Sequence, residues 1–192
     1  TCTSMTEIQP YAFSKCKNLE NIVLPNGLTT IGRHAFEYCT SMKSIVIPDS
    51  VTGISYQAFL GCTNLEDVTL PKEAPEMLKG EYNYIGEIFN GCTALRTITI
   101  PVGWTKISEM LSHSSITSID MSTCTSMTEI QPYAFSECKN LENIVLPNGL
   151  MTIGGYAFGN CTKLENIDLP ANVTTIGNHA FEYCTSMKSI VI

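Results

Sequence analysis

Residues 18–40 read NLENIVLPNGLTTIGRHAFEYCT, and residues 41–63 repeat the same pattern as SMKSIVIPDSVTGISYQAFLGCT. The pattern recurs along the whole chain, in steps of 23, 23, 30, 21, 25, 23 and 23 residues between the first apolar residues of successive units. Regular steps of this size indicate a stack of similar coils rather than a globular domain. The marker residues are Leu19, Met42, Leu65, Leu95, Ile116, Leu141, Leu164 and Met187.

Longer copies overlie the short period. Residues 2–27 recur as residues 124–149 with one change, Lys15 to Glu137, and residues 31–47 recur as residues 176–192 with Arg33 replaced by Asn178. Near-identical copies indicate recent duplication. We therefore interpret residues 1–192 as a single solenoid, and expect it to be a fragment of a longer repeat array.

The first half of each unit has the pattern of a short strand. Ile22 and Leu24 alternate with Asn21 and Val23, so a strand of three to four residues would turn the first pair inward and the second pair outward. Pro25 ends it, because proline lacks the N–H needed for a further ladder bond. One such strand per coil predicts a parallel β-sheet.

The second half of the unit forms the other face of the coil. Leu28 and Ile31 are spaced to point inward from a short extended stretch, and Ala35, Phe36 and Cys39 are spaced to suit one helical turn. A single coil cannot bury these side chains alone, so stability must come from stacking Leu on Leu and Phe on Phe. We expect short turns or single helical turns on this face.

The joint occurrence of I-x-L-P, T-x-I-G and A-F-x-x-C at fixed offsets resembles the BspA-like, TpLRR-type class of leucine-rich repeats over nearly the whole chain. The match is close from Leu19 to Cys62 and from Leu141 to Cys184. The resemblance implies a leucine-rich-repeat solenoid. It also implies a cell-surface or secreted protein of bacterial type that binds a protein or glycan, as an adhesin would.

The composition of the chain limits the classes of partner that it is expected to bind. The chain has 44% hydrophobic residues and a net charge of −7, with 18 acidic against 11 basic residues. Such a charge repels phosphate backbones, so nucleic acid is not expected as a partner. No apolar run reaches the roughly 20 residues that span a bilayer, so no membrane insertion is expected. Because neither end has a polar capping repeat, we also expect end-to-end self-association.

No constellation of residues predicts an enzyme, a metal site or a cofactor. The His34, His113 and His179 side chains have no nucleophile and orienting carboxylate signalled nearby, and we interpret them as solvated surface residues. Zinc-type cysteine spacing and glycine-rich phosphate loops are both absent from the sequence. Cys2 and Cys124 fall outside the repeat and are the candidates for surface reactivity. The other seven occupy one repeat position and predict a buried ladder of thiols: Cys16, Cys39, Cys62, Cys92, Cys138, Cys161 and Cys184.

The outward face of the predicted strands is the main candidate binding surface. It is small, polar to β-branched, and free of aromatic residues, which suits a broad shallow platform for a protein or glycan. The alternative is a structural spacer without a ligand, whose sheet is merely solvated. The face comprises Asn21, Val23, Ser44, Val46, Asp67, Thr69, Thr97, Thr99, Ser118, Asp120, Asn143, Val145, Asn166, Asp168, Ser189 and Val191.

Two irregular coils, in residues 72–88 and 101–127, add further candidates. The first carries a seven-residue insertion and the second places Trp104 where Leu28 stands in the regular unit and loses A-F-x-x-C. We expect these coils to bend the solenoid or to form a protruding loop, and loops on rigid scaffolds often carry binding. Trp104, Glu81, Tyr82 and Tyr84 are therefore candidate binding residues.

Overall fold

The computed structural model describes residues 4–78 and 86–191. The chain forms a parallel β-solenoid of about eight turns with nearly no helix, which confirms the predicted fold class. In chain order the strands are β1 (Glu7–Ile8), β2 (Thr30–Ile31), β3 (Ser44–Val46), β4 (Gly53–Ser55), β5 (Asp67–Thr69), β6 (Glu76–Leu78), β7 (Lys106–Ile107), β8 (Ser118–Asp120), β9 (Glu129–Ile130), β10 (Asn143–Val145), β11 (Thr152–Ile153), β12 (Asn166–Asp168), β13 (Thr175–Ile176) and β14 (Ser189–Val191).

The I-x-L segments lie along one side of the solenoid as three separate two-stranded pairs, which we together call the first sheet and which comprise β3, β5, β8, β10, β12 and β14. Its hydrogen-bonded pairs are β3–β5, β8–β10 and β12–β14, all parallel and in matching register. In β3 the side chain of Ile45 is buried, whereas Ser44 and Val46 are exposed. The predicted alternation of inward and outward residues is confirmed.

The T-x-I segments form a second sheet that the sequence indicated only as an extended stretch. Its strands pair in parallel in two groups, β1–β2–β4–β6 and β7–β9–β11–β13. Ile31 and Ile54 are directly paired and fully buried, so isoleucine stacks on isoleucine along this side of the core. Each coil thus has three sides, namely two short strands and the A-F-x-x-C segment, which we call the turn side.

The turn side consists of short turns, one of the two predicted alternatives, rather than of single helical turns. Within the described residues the single helix is a short 3-10 helix at Glu109–Leu111. Elsewhere the backbone bonds alternate: the Ala35 N–H donates to Gly32 O in its own coil at 3.2 Å, and the Phe36 N–H donates to Ala58 O in the next coil at 2.8 Å. A helix would direct all of these bonds along one coil, whereas this arrangement ties neighbouring coils together.

The alternation requires backbone of positive φ at two positions in a regular coil. In the second coil these residues are His34 (φ 55) and Tyr38 (φ 54). A left-handed conformation costs a non-glycine residue roughly 1–2 kcal/mol. The cost is offset because the conformation turns the Tyr38 N–H toward Leu60 O in the next coil, at 2.7 Å.

Phenylalanine rings form a stacked column inside the turn side. The rings of Phe36 and Phe59 lie 5.2 Å apart at an interplanar angle of 6°. Offset-stacked aromatic pairs contribute roughly 0.5–1.5 kcal/mol beyond their area burial. The column comprises Phe13, Phe36, Phe59 and Phe89, then Phe135, Phe158 and Phe181.

The coil that lacks A-F-x-x-C continues the phenylalanine column with a different residue. Cys138 Sγ donates to Leu111 O at 3.0 Å, as Cys161 Sγ donates to Phe135 O in a regular coil at 3.2 Å. Leu111 therefore occupies the phenylalanine position, and it is fully buried. The motif is lost from the sequence but its packing role is kept.

The second sheet is interrupted between β6 and β7. Among the described residues, no backbone hydrogen bond joins these strands, and their Cα atoms lie mostly more than 8 Å apart. Regular pairing of β6 with β4 extends to Leu78, and coil-to-coil bonding resumes where Gln57 N–H donates to Gly86 O at 3.3 Å. The seven inserted residues are therefore 79–85, which lie outside the described part of the chain.

Candidate interaction surface

The predicted platform residues lie together on the outer face of the first sheet. Val23, Val46 and Val191 are 88%, 62% and 61% exposed, although valine is usually buried. Thr97 and Thr99 are also exposed, on either side of the buried Ile98, in a coil where the segment forms no strand. The geometry predicted for this face is present; whether it binds a ligand stays a prediction.

A shallow polar groove of about 400 Å³ runs along the edge of this face. Asn143 and Asn166 from neighbouring coils line it, with Glu142, Lys163, Glu165 and Ser186 around them. Lys163 Nζ lies 3.5 Å from Glu142 Oε1 across one coil step. Such exposed ion pairs contribute little to stability and remain available to a ligand.

Trp104 does not belong to an exposed surface, so this part of the prediction is wrong. Its side chain is 1% exposed, and its Nε1–H donates to Pro71 O in the preceding coil at 3.1 Å. The residue replaces an inward-facing leucine, and the larger indole fills the core at the coil where the second sheet is interrupted. The predicted candidates Glu81, Tyr82 and Tyr84 lie outside the described residues.

A surface that the sequence analysis missed lies on the turn side. Tyr133, Tyr156 and His179 stack across three coils, with ring centroids 5.2 and 4.7 Å apart. Tyr11 and His34 form a second stack at 4.9 Å. These aromatic residues stand directly before Ala in the A-F-x-x-C motif, which is one of the two positions of positive φ. An alignment of the repeat units would therefore have shown that aromatic residues recur at this position.

A cluster of polar groups surrounds Glu87 on the same side, next to the insertion. Gln57 Nε2 and Asn90 Nδ2 donate to Glu87 Oε2 at 2.7 and 3.1 Å, and Tyr56 Oη donates at 3.4 Å. His113 Nδ1 lies 3.7 Å from Glu87 Oε1. The carboxylate is thus satisfied by its own neighbours, and the cluster fixes the backbone on the C-terminal side of the insertion.

His34 is less solvated than predicted, whereas His113 and His179 are exposed. The His34 side chain is 13% exposed and lies against Tyr11 and Tyr56, and its Nδ1 is 2.7 Å from Glu37 Oε2. Burial lowers the pKa of His34, and the Glu37 carboxylate opposes this shift. His179 matches the prediction better, with a side chain that is 51% exposed.

Five of the seven column cysteines are buried, as predicted, whereas Cys16 is exposed and Cys184 is half-buried; all eight described cysteines are free thiols. Burial raises the pKa of Cys138 to about 12, which keeps the thiol protonated and unreactive. Cys124 is wrong as a candidate for surface reactivity, because it is fully buried in the expanded corner between Met121 and Met127. Cys2 lies outside the described residues.

Two other kinds of site are absent from the described residues. Across residues 4–78 and 86–191, no group of three His, Cys, Asp or Glu side chains is placed to hold a metal ion. Within the same ranges, no helix has the length and apolar character needed to cross a membrane.

Comparison with known proteins agrees with the repeat pattern. The family model described as "BspA type Leucine rich repeat region" matches residues 2–83 and 77–188, in six copies. No curated protein sequence matches the chain.

Several solved structures share the fold. A leucine-rich repeat protein from Eubacterium ventriosum is 25% identical, with a TM-score of 0.60, over 97% of this chain and 44% of that one. The T. pallidum leucine-rich repeat protein is 25% identical, with a TM-score of 0.61, over 83% of this chain and 71% of that one. The pneumococcal vaccine antigen PcpA is 21% identical, with a TM-score of 0.56, over 98% of this chain and 48% of that one. The chain thus spans less than half the length of the Eubacterium protein.

Proposed function

Because the chain belongs to the BspA-type leucine-rich-repeat family, we propose that it is a non-catalytic module that binds a protein or glycan through the outer face of its first sheet. The observation that carries the proposal is the repetition of that face. Outward residues of the paired strands are in register and mostly exposed, so a long ligand meets short polar or β-branched side chains from one coil to the next. Repetition of weak contacts raises avidity without a deep pocket.

The proposal includes a bacterial cell-surface or secreted location and an adhesive role. Both rest on the family resemblance and on the bacterial origin of the similar structures. The surface chemistry is compatible with this role. The outward residues are short and rigid, so little side-chain entropy is lost when a ligand covers them.

The test is an array of extracellular-matrix proteins and glycans probed with the chain and three variants. Val46→Arg and Asn166→Arg each place a long charged side chain on the first sheet, while Met151→Arg places the same side chain on an exposed residue outside it. We expect a ligand whose binding is weakened at least tenfold by the first two variants and unchanged by the third. If no ligand is found, or if all three variants bind alike, the binding proposal fails and a spacer role is favoured.

A further inference from the structure

The interruption of the second sheet leaves two strand edges facing each other. In the regular coils a T-x-I strand donates to the coil before it and accepts from the coil after it; for example, the Thr152 N–H donates to Thr128 O at 3.1 Å and the Gly154 N–H donates to Ile130 O at 2.8 Å. The equivalent donors in β7 and the residue after it are the N–H groups of Lys106 and Ser108. Within the described residues, neither group has a backbone acceptor in β6.

The acceptors opposite these donors also have no backbone donor among residues 4–78 and 86–191. By the same register they are the carbonyls of Pro75 and Met77, at the free edge of β6. Unpaired backbone groups of this kind form a template for another strand. The β6–β7 slot, as we name this gap, therefore offers a ladder on each side, and both ladders run in the same direction.

The dimensions of the slot suit one extended chain. Paired strands are about 4.8 Å apart, so a strand placed between two others needs about twice that spacing. The Cα atoms of β6 and β7 lie mostly more than 8 Å apart, which excludes direct pairing. The groove between them has a volume of about 320 Å³. Strand rise, strand spacing and sheet spacing together give about 160 Å³ per residue, so the groove has room for about two residues of a strand, the length of β7.

The charges of the slot indicate which peptide it accepts. Its lining includes Glu76 from β6, Lys106 from β7 and Glu109 from the 3-10 helix. The Glu76 and Glu109 carboxylates form no side-chain hydrogen bond or ion pair with the described residues, and Glu109 is partly buried. A buried or half-buried carboxylate gains most from a cationic partner, because water screens it poorly.

We propose that the β6–β7 slot binds an extended peptide segment of another protein by strand insertion, with a lysine or arginine side chain placed against Glu109 and Glu76. Main-chain bonds to both edges provide the affinity, and the carboxylates provide the preference for a basic residue. This site is separate from the outer face of the first sheet, so either proposal can fail while the other holds.

The premise is tested first on the free protein by amide hydrogen exchange followed by NMR. We expect the amides of Lys106 and Ser108 to exchange at least a hundredfold faster than those of Thr152 and Gly154, their counterparts in the paired part of the sheet. Equal protection of the two sets would mean that the slot is already filled or closed, and would overturn the proposal.

The binding step is tested with fluorescein-labelled pentapeptide pools, with one position fixed and the others randomised, by fluorescence anisotropy. We expect pools with a fixed lysine or arginine to bind at least tenfold more tightly than pools with a fixed glutamate. N-methylation of the peptide amides should abolish binding, and bound peptide should slow exchange at Lys106 and Ser108. Absence of binding in the millimolar range, or binding insensitive to N-methylation, would refute strand insertion.

Variants of the protein separate the contribution of the main-chain hydrogen bonds from that of the carboxylates. Ser108→Pro removes one slot-facing donor and should weaken binding at least tenfold, with the circular-dichroism spectrum as the check on folding. Glu109→Gln should reduce the preference for basic pools. Glu129→Gln removes the same charge from the neighbouring strand β9, outside the slot, and should change nothing. A loss of preference in Glu129→Gln equal to that in Glu109→Gln would contradict the assigned site.

Discussion

Replacement of Trp104 by alanine should destabilise the solenoid strongly, although the residue lies in one of the least regular coils. The indole is 1% exposed, and its N–H donates to Pro71 O at 3.1 Å. Removal of a buried tryptophan side chain costs about 3–5 kcal/mol through lost burial and the remaining cavity. The carbonyl of Pro71 also loses its donor, which costs about 1–3 kcal/mol more where water cannot replace it.

The assay is urea denaturation followed by circular dichroism, with Val102→Ala as the matched control. Val102 is two residues away and 63% exposed, so its truncation should change the free energy of unfolding by less than about 0.5 kcal/mol. Trp104→Leu restores the usual residue of the repeat, yet it should still destabilise, because the surrounding core is packed around an indole. A change below about 1 kcal/mol in Trp104→Ala would refute the packing argument.

Three further predictions concern burial and close packing. Burial raises the pKa of Glu109 from 4.5 to about 7, so the folded state binds more protons between these values. The free energy of unfolding should therefore fall as pH rises through this window, and Glu109→Gln should remove the fall in urea midpoints measured from pH 4.5 to 8. The Cys138 thiol should resist iodoacetamide until the chain unfolds, whereas the exposed Cys16 should be alkylated at once, as mass spectrometry of the labelled peptides would reveal. Gly154→Ala should cost about 1–3 kcal/mol in a urea titration, because the added Cβ would lie 2.7 Å from the carbonyl carbon of Gln131 in the preceding coil; a neutral result would contradict the close approach of the coils.

The sequence predicts the repeat period, the first sheet, and which of its side chains point inward or outward, because these features depend on simple alternation. Ile45 is buried and Ser44 and Val46 are exposed, as a period of two requires. The second sheet is harder to predict, because a strand of two residues such as Thr30–Ile31 is too short to display any period. The turn side is harder still, since left-handed tyrosine and histidine are unfavourable locally and are stabilised only by bonds to the next coil.

The errors at Trp104 and Cys124 have one physical origin. In both cases a departure from the consensus indicated a loop and hence exposure. Trp104, however, stands in the register of the inward-facing Leu28, and the extra residues around Cys124 fold into two successive turns that direct its side chain inward. Register is thus a better guide to burial than regularity of the motif.

The direction of the hydrogen bonds has a mechanical consequence. Bonds between coils run along the long axis of the stack, so every interface between coils carries the full tension applied along that axis, and the interface with the fewest bonds opens first. The interface between β6 and β7 lacks the bonds that every other pair of neighbouring second-sheet strands has within the described residues. A chain pulled from its two ends should therefore yield first at this interface, and the segments on either side should hold until the force rises further.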